Sequence, residues 1–217
     1  MVTRRLTFVL TIALALSFGA RHSLAMAVTD PAGDFISTYT GPHNGDVDVL
    51  SSEVIYDPTA ATFTFEATFA APVNTSPGAL YVWGVNRGTG TQLLQGGTPP
   101  VGAGVIFDSV FIGVPGNGSG IVNLLDGSAA TTLPGVLQIS GDSVSATIAA
   151  SLLPSTGLPL SQYEWNLWPR VGSATNADIS DFAPDATVVL VTVAPEPASL
   201  VLVAGALALL TAVRRRA

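Results

Sequence analysis

The chain has 217 residues, with no cysteine, no lysine and a formal net charge of −7; 48% of its residues are hydrophobic and only 11% are charged. That length holds one ordinary domain plus terminal segments, and the missing cysteines exclude thiol nucleophiles, iron–sulfur centres and thiolate zinc sites. Six of the eight arginines flank the two ends, so between residues 28 and 194 only Arg87 and Arg170 face fourteen of the fifteen acids; this excludes nucleic acid as a partner, because phosphate binding needs clustered cations.

At the N-terminus, Arg4 and Arg5 precede an apolar run from Leu6 to Ala20, and Ala25-Met26-Ala27 places small residues where signal peptidase cuts. Residues 1–27 therefore read as a signal helix that is cleaved after Ala27, and residues 28–194 as an exported domain. Export without disulfides means that the domain must rely on its own core, which a chain of this size can supply.

The exported stretch opens on Asp30-Pro31-Ala32-Gly33-Asp34 and Gly45-Asp46-Val47-Asp48, and its far end carries Asp178-Ile179-Ser180-Asp181-Phe182-Ala183-Pro184-Asp185. If the first and last strands of the domain are neighbours, Asp30, Asp34, Asp46, Asp48, Asp178, Asp181 and Asp185 converge at one edge. Loop carboxylates are what calcium requires for its six to eight oxygen ligands. The competing reading is that Asp-Pro and Gly-Asp are turn and capping chemistry. The pair of clusters also resembles the DPxGD start and DxAPD finish of other exported β-sandwich modules.

Between the clusters the periodicity is that of strands. In Thr62-Phe63-Thr64-Phe65-Glu66-Ala67-Thr68-Phe69 every second residue is apolar, which makes this the clearest strand. Residues 46–56 precede it across Asp57-Pro58-Thr59-Ala60, a turn-forming sequence, so the two segments form a hairpin. Further strands are expected at 79–85, 105–114, 121–124, 136–139, 143–149, 163–167 and 187–193, the last apolar on both faces and hence central. Glycine and proline clusters separate them, and no repeat of fixed period supports a β-solenoid. The expectation is an all-β fold, an antiparallel two-sheet sandwich of jelly-roll type.

Catalytic constellations are scarce, and no catalytic residue is assigned. His43 is the only histidine after residue 27, no Gly-x-Ser-x-Gly occurs, and the absence of lysine removes P-loop and Ser-Lys chemistry. Glu53, Glu66 and Glu164 are available for a carboxylate pair, but Glu66 and Glu164 alternate with apolar neighbours and so face outward. In Tyr163-Glu164-Trp165-Asn166-Leu167-Trp168, Trp165 and Trp168 point to opposite faces of one strand. An exposed ring there could stack on a sugar, which opens an alternative to a purely structural domain: a carbohydrate-binding module, with or without calcium, acting on exopolysaccharide. The competing reading of both rings is core.

The chain closes on Pro195-Glu196-Pro197, an uncharged stretch of 16 residues from Ala198 to Val213, and Arg214-Arg215-Arg216. As a helix that stretch spans about 24 Å, short of the roughly 30 Å of a bilayer core, and the arginines would hold its end on the cytoplasmic side. The three parts in this order resemble the PEP-CTERM sorting signal, the tail recognised by an exosortase in exopolysaccharide-producing Gram-negative bacteria. The resemblance covers residues 195–217. It implies export, transient residence in the inner membrane through a short transmembrane helix, processing near Pro195-Glu196-Pro197, and delivery to the cell surface or the extracellular matrix of a biofilm. Signal peptidase and exosortase would be the processing partners. It implies nothing about the task of residues 28–194, which are expected to form a noncatalytic displayed domain.

Overall fold

The structure of the protein is a computed structural model that describes residues 27–195. The signal helix expected before residue 27, the span 198–213, and Glu196, Pro197, Arg214, Arg215 and Arg216 lie outside the described residues. Among the described residues no helix is long and apolar enough to cross a membrane.

Two antiparallel sheets carry the fold. The first holds β1 (Val28–Thr29), β2 (Val49–Asp57), β3 (Thr62–Phe69), β8 (Leu137–Ser140), β9 (Ser143–Ala149) and β12 (Thr192–Val193). The second holds β4 (Ala79–Asn86), β5 (Ser109–Val114), β6 (Ser119–Asn123), β7 (Thr131–Leu133), β10 (Glu164–Val171) and β11 (Val189–Leu190). Strand order is β1-β2-β3-β9-β8, with β12 also on β2, against β11-β10-β4-β5-β6-β7. The hairpins β2-β3 and β8-β9 and the meander β4 to β7 keep consecutive strands in one sheet, while the chain changes sheet at β3-β4, β7-β8, β9-β10 and β11-β12. The expected jelly roll, in which successive strands alternate between sheets, is replaced by this connectivity, because runs of neighbouring strands pair as hairpins within one sheet.

The alternation read in Thr62–Phe69 is the strand β3, with Phe63, Phe65, Ala67 and Phe69 buried. Asp57 closes the hairpin before it, its Oδ1 accepting from the backbone N–H groups of Thr59 (2.8 Å) and Ala60 (2.9 Å), an Asx turn of the kind that residue favours. The inner faces meet through aromatic pairs drawn one from each sheet: Phe65 on Phe111 at 4.7 Å, Phe69 on Tyr81 at 4.3 Å, and Phe65 edge-on to Trp83 at 5.7 Å. Offset and edge-to-face contacts of this kind are the favourable ones for aromatic rings. The buried Trp83 indole donates to Ser52 Oγ (3.1 Å), which donates in turn to the Glu66 carbonyl (2.7 Å), so the one polar side chain on this face of β2 is satisfied.

The second sheet is covered on its outer face as well. Leu94, Val101, Val105, Phe107, Ile179 and Phe182 pack over Val82, Val110 and Trp168 to form a second apolar cluster. This explains why β4 reads as a nearly unbroken apolar run. Gly84, within it, sits beneath the Trp168 ring, and an added Cβ would lie 2.5 Å from that ring and 3.1 Å from Phe107.

Residues 187–193, expected as one central strand, divide instead between two edges. β11 pairs with β10, and β12 runs parallel to β2, with Thr192 opposite Ile55. Val191 lies buried between them, its N–H donating to the Tyr163 carbonyl at 2.9 Å. Only Val191 in this segment is buried and Leu190 is 61% exposed, so the apolar run marks a crossing from one sheet to the other and not a central strand. β1 and β7 are further strands, too short to leave a periodic signal.

Replacing Gly84 with alanine should destabilise the domain by about 1–3 kcal/mol, the usual range for overpacking, seen as a lower urea midpoint with an unchanged slope. A variant as stable as the parent would show that Trp168 is not held against this strand.

Candidate functional site: an acidic cluster between the first turn and the last strands

Five of the seven aspartates expected to converge do so. The carboxylates of Asp34, Asp48 and Asp181 lie with ligand oxygens within 4.8 Å of one another, and so do those of Asp30, Asp34 and Asp185. Asp34 belongs to both triads.

Local backbone geometry builds the cluster. Gly33 adopts φ +83°, a left-handed conformation that favours glycine, and its N–H donates to Asp48 Oδ2 at 2.9 Å. The turn Asp30–Asp34 is thereby folded onto the start of β2. The β2-β3 register shifts between Val49 and Ser51, a bulge of the sort that re-aims backbone groups, and here the Val49 N–H donates to Asp181 Oδ2 at 2.8 Å. The second Asp181 oxygen accepts from the Phe182 N–H at 2.7 Å, while Asp30 N–H donates to the Leu50 carbonyl at 2.9 Å. The N-terminal and C-terminal segments thus dock on the same few residues. β1 and β12 do not pair with each other; both lie along β2, at Ser51–Ser52 and at Ile55–Tyr56.

The electrostatics are unusual. Asp48 is 5% exposed and Asp181 1%, and neither arginine among the described residues is near. Arg87 is committed to Asp108 (Nε to Oδ1, 2.9 Å) and to the carbonyls of Pro154, Asp108 and Leu124; Arg170 is committed to Asp178 at 3.4 Å. Asp48 Oδ1 and Asp30 Oδ2 are buried with no hydrogen-bond partner. Burial, reinforced by neighbouring carboxylates, holds the carboxyl groups of Asp30, Asp48 and Asp181 above the ordinary range: Asp34 and Asp185 act on Asp30, Asp34 on Asp48, and Asp30 and Asp34 on Asp181.

The other two aspartates are structural. Asp46, fully buried, accepts from Thr75 N–H (2.8 Å), Ser76 N–H (2.7 Å) and Ser76 Oγ (2.6 Å), which pins the loop before β4. Asp178 accepts from the N–H groups of Ala174 (2.8 Å) and Thr175 (2.9 Å) as part of a capping box on a short 3-10 turn. For this pair the turn-and-cap reading is the correct one.

Trp165 and Trp168 do lie on opposite faces of β10, but both are buried, at 1% and 2% exposure. Trp165 belongs to the core between the sheets and Trp168 to the outer cluster. The loop around residues 94–107 and the segment 179–182 cover the face expected to be open, so neither ring offers a surface to a sugar. His43 stacks on Phe35 at 4.4 Å and on Tyr39 at 5.5 Å. No protein-family model and no curated protein matches the chain.

A second polar feature lies on the outer face of the first sheet, a shallow groove of about 520 Å³ lined by Ser51, Glu53, Glu66, Thr68, Gln138 and Ser145, among others. Glu53 stands directly opposite Glu66 in the β2-β3 register. Two hydroxyl pairs flank them, Thr64 with Thr147 at 2.9 Å and Thr68 with Ser143 at 3.2 Å. The signal for this pairing was present in the sequence, because a hairpin closed at Asp57 and Thr62 brings Glu53 opposite Glu66.

A carboxyl whose folded pKa is raised binds its proton more tightly when folded, so its contribution is complete below the ordinary value of 3.8 and is lost as pH rises through the elevated value. In divalent-free buffer, lowering the pH from about 8 to about 6 should raise the urea midpoint, and Asp30→Asn should reduce that response, leaving the part that the burial of Asp181 supplies. A midpoint that falls over this interval would contradict the burial of these charges.

Proposed function

We propose that the protein is an exported, noncatalytic β-sandwich delivered to the cell surface or extracellular matrix by a C-terminal PEP-CTERM signal. Signal peptidase and an exosortase are its processing enzymes, and the inner membrane is its transient host. The observation that carries this reading is the ordered tail, Pro195-Glu196-Pro197, the uncharged stretch 198–213 and Arg214-Arg215-Arg216, on a chain that opens with an export-type segment. Two prolines favour extended backbone and withhold two N–H donors, which leaves the segment accessible to a protease. β12 ends at Val193, two residues before Pro195, so the motif begins where the last strand stops. A displayed rather than catalytic role is supported by the way its polar groups are used, with Asp46, Asp108 and Asp178 bonded to loops and His43 stacked against Phe35 and Tyr39.

Glu196→Ala, or deletion of residues 214–216, should leave a slower-migrating form in the membrane fraction of the producing cell. Unchanged size and release in both variants would overturn the sorting assignment.

One observation favours a second reading, in which the displayed domain binds exopolysaccharide. The groove on the outer face of the first sheet has the volume of a ligand site and is lined by hydroxyl, amide and carboxylate groups that can bond sugar hydroxyls. In a pull-down of the full chain on the producer's own polysaccharide, the double variant Glu66→Ala, Gln138→Ala should lower retention by about tenfold, the loss of roughly one or two hydrogen bonds. No retention by the parent, or equal retention by the variant, would overturn this second reading.

A further inference from the structure

We propose that Asp30, Asp34, Asp48, Asp181 and Asp185 form a calcium site that fastens the N-terminal segment of the sandwich to its C-terminal segment. This goes beyond the sorting assignment and does not depend on it.

Three observations lead there. The first is spacing: oxygens on opposite sides of a calcium ion, each at about 2.4 Å, are about 4.8 Å apart. Both triads of carboxylates fall within that separation with no rearrangement of the backbone. The second is the buried and unpartnered Asp48 Oδ1. Asp48 is 5% exposed, its other oxygen takes the Gly33 N–H, and Oδ1 has neither donor nor solvent. An acceptor in that state costs free energy unless something satisfies it, and it belongs to a carboxylate of the Asp34-Asp48-Asp181 triad. Asp30 Oδ2, in the adjoining triad, is buried without a partner as well. The third is the absence of a counter-charge among the described residues, since Arg87 and Arg170 are held elsewhere.

The chemistry of the donors selects the ion. Every side chain in the cluster is a carboxylate, and there is neither imidazole nor thiolate, so a hard cation is favoured over zinc or copper. Five aspartates from turns and a bulge offer irregular and bidentate geometry, which calcium accepts at 2.3–2.6 Å; magnesium demands a near-ideal octahedron and keeps its waters. The residues that would hold the ion come from the first turn of the domain, the entry to β2 and the stretch just before β11. Binding would therefore close the longest loop in the domain, where a cross-link restrains the unfolded chain most.

The test uses the full chain purified in detergent and freed of divalent ions. Calorimetric titration with calcium chloride should give a saturable isotherm, and calcium at about 100-fold above Kd should raise Tm by roughly 5–10 °C. Asp34→Asn and Asp185→Asn, which lie toward the rim of the cluster, should each weaken binding by at least about tenfold, as losing one charged ligand does. Asp48→Asn keeps an oxygen for the Gly33 N–H while lowering the charge, and it should fold yet lose the calcium response. Asp126→Asn, on an exposed turn, should bind like the parent. A parent chain that shows neither heat nor a Tm shift up to about 10 mM calcium, beyond the range of extracellular calcium modules, overturns the proposal. So does unweakened binding by both Asp34→Asn and Asp185→Asn. If protons alone neutralise the cluster, acidification stabilises the parent and calcium does nothing, which also overturns it.

Discussion

The constraint on which this molecule turns is the scarcity of positive charge in its folded body. Arg87 and Arg170 are the only arginines between residues 28 and 194, where there is no lysine, and each is fixed to an aspartate and to backbone carbonyls at a loop junction. Arg87 is 3% exposed, a depth at which a guanidinium is tolerated only with its donors filled. Asp108 answers it, accepting also from Thr89 and Thr156, so that the segments after β4 and after β9 are gathered on one ion pair. With both arginines occupied, the remaining acids must be solvated, capped or neutralised by something the side chains do not supply. Glu66 takes the first course, Asp46 and Asp178 the second, and the cluster at Asp48 and Asp181 the third.

The strands were legible wherever one face is buried and the other is wet. β3 and β9 follow the alternation in the sequence to the residue, because each sits inside the first sheet with an outer face open to water. The second sheet was harder to read, since the loop around residues 94–107 buries its outer face and the polar half of the alternation is lost. The same cover hid the fate of Trp168, whose neighbours along the strand say nothing about a loop far earlier in the chain. The crossing at Val191 was misread for a related reason: continuous apolarity marks burial on two sides and cannot tell one central sheet position from two edges. The jelly-roll expectation failed because strand count and turn spacing do not encode which sheet each strand joins.

For the acidic cluster, the sequence supplied the membership and the fold supplied the selection. Seven aspartates sit in two short stretches with similar local composition, and no pattern separates the five that converge from the two that do not. What divides them is direction. Asp46 lies in a 3-10 turn facing the loop before β4, whereas Asp48, two residues later, has entered the extended backbone and faces the opposite way, toward Gly33. Asp178 precedes Asp181 by three residues and is turned into its own cap. Residues two apart in a strand share a face, so Asp46 and Asp48 part only because the 3-10 turn ends and extended backbone begins between them, and the sorting of these acids depended on where the strand begins.

The C-terminal stretch of the sandwich has a further consequence, for self-association. From Ile179 to Leu190 the chain runs along the outer edge of β10, meeting Arg170, Leu167, Trp165 and Glu164 in turn, and it then passes to β2. Without it, two hydrophobic strands would present unpaired backbone groups to solvent, the template by which sandwiches add to one another and grow into fibres. The last residues before the tail therefore act as a shield against polymerisation, one that a cut at Pro195 leaves whole and a cut ten residues earlier would strip of β11 and β12.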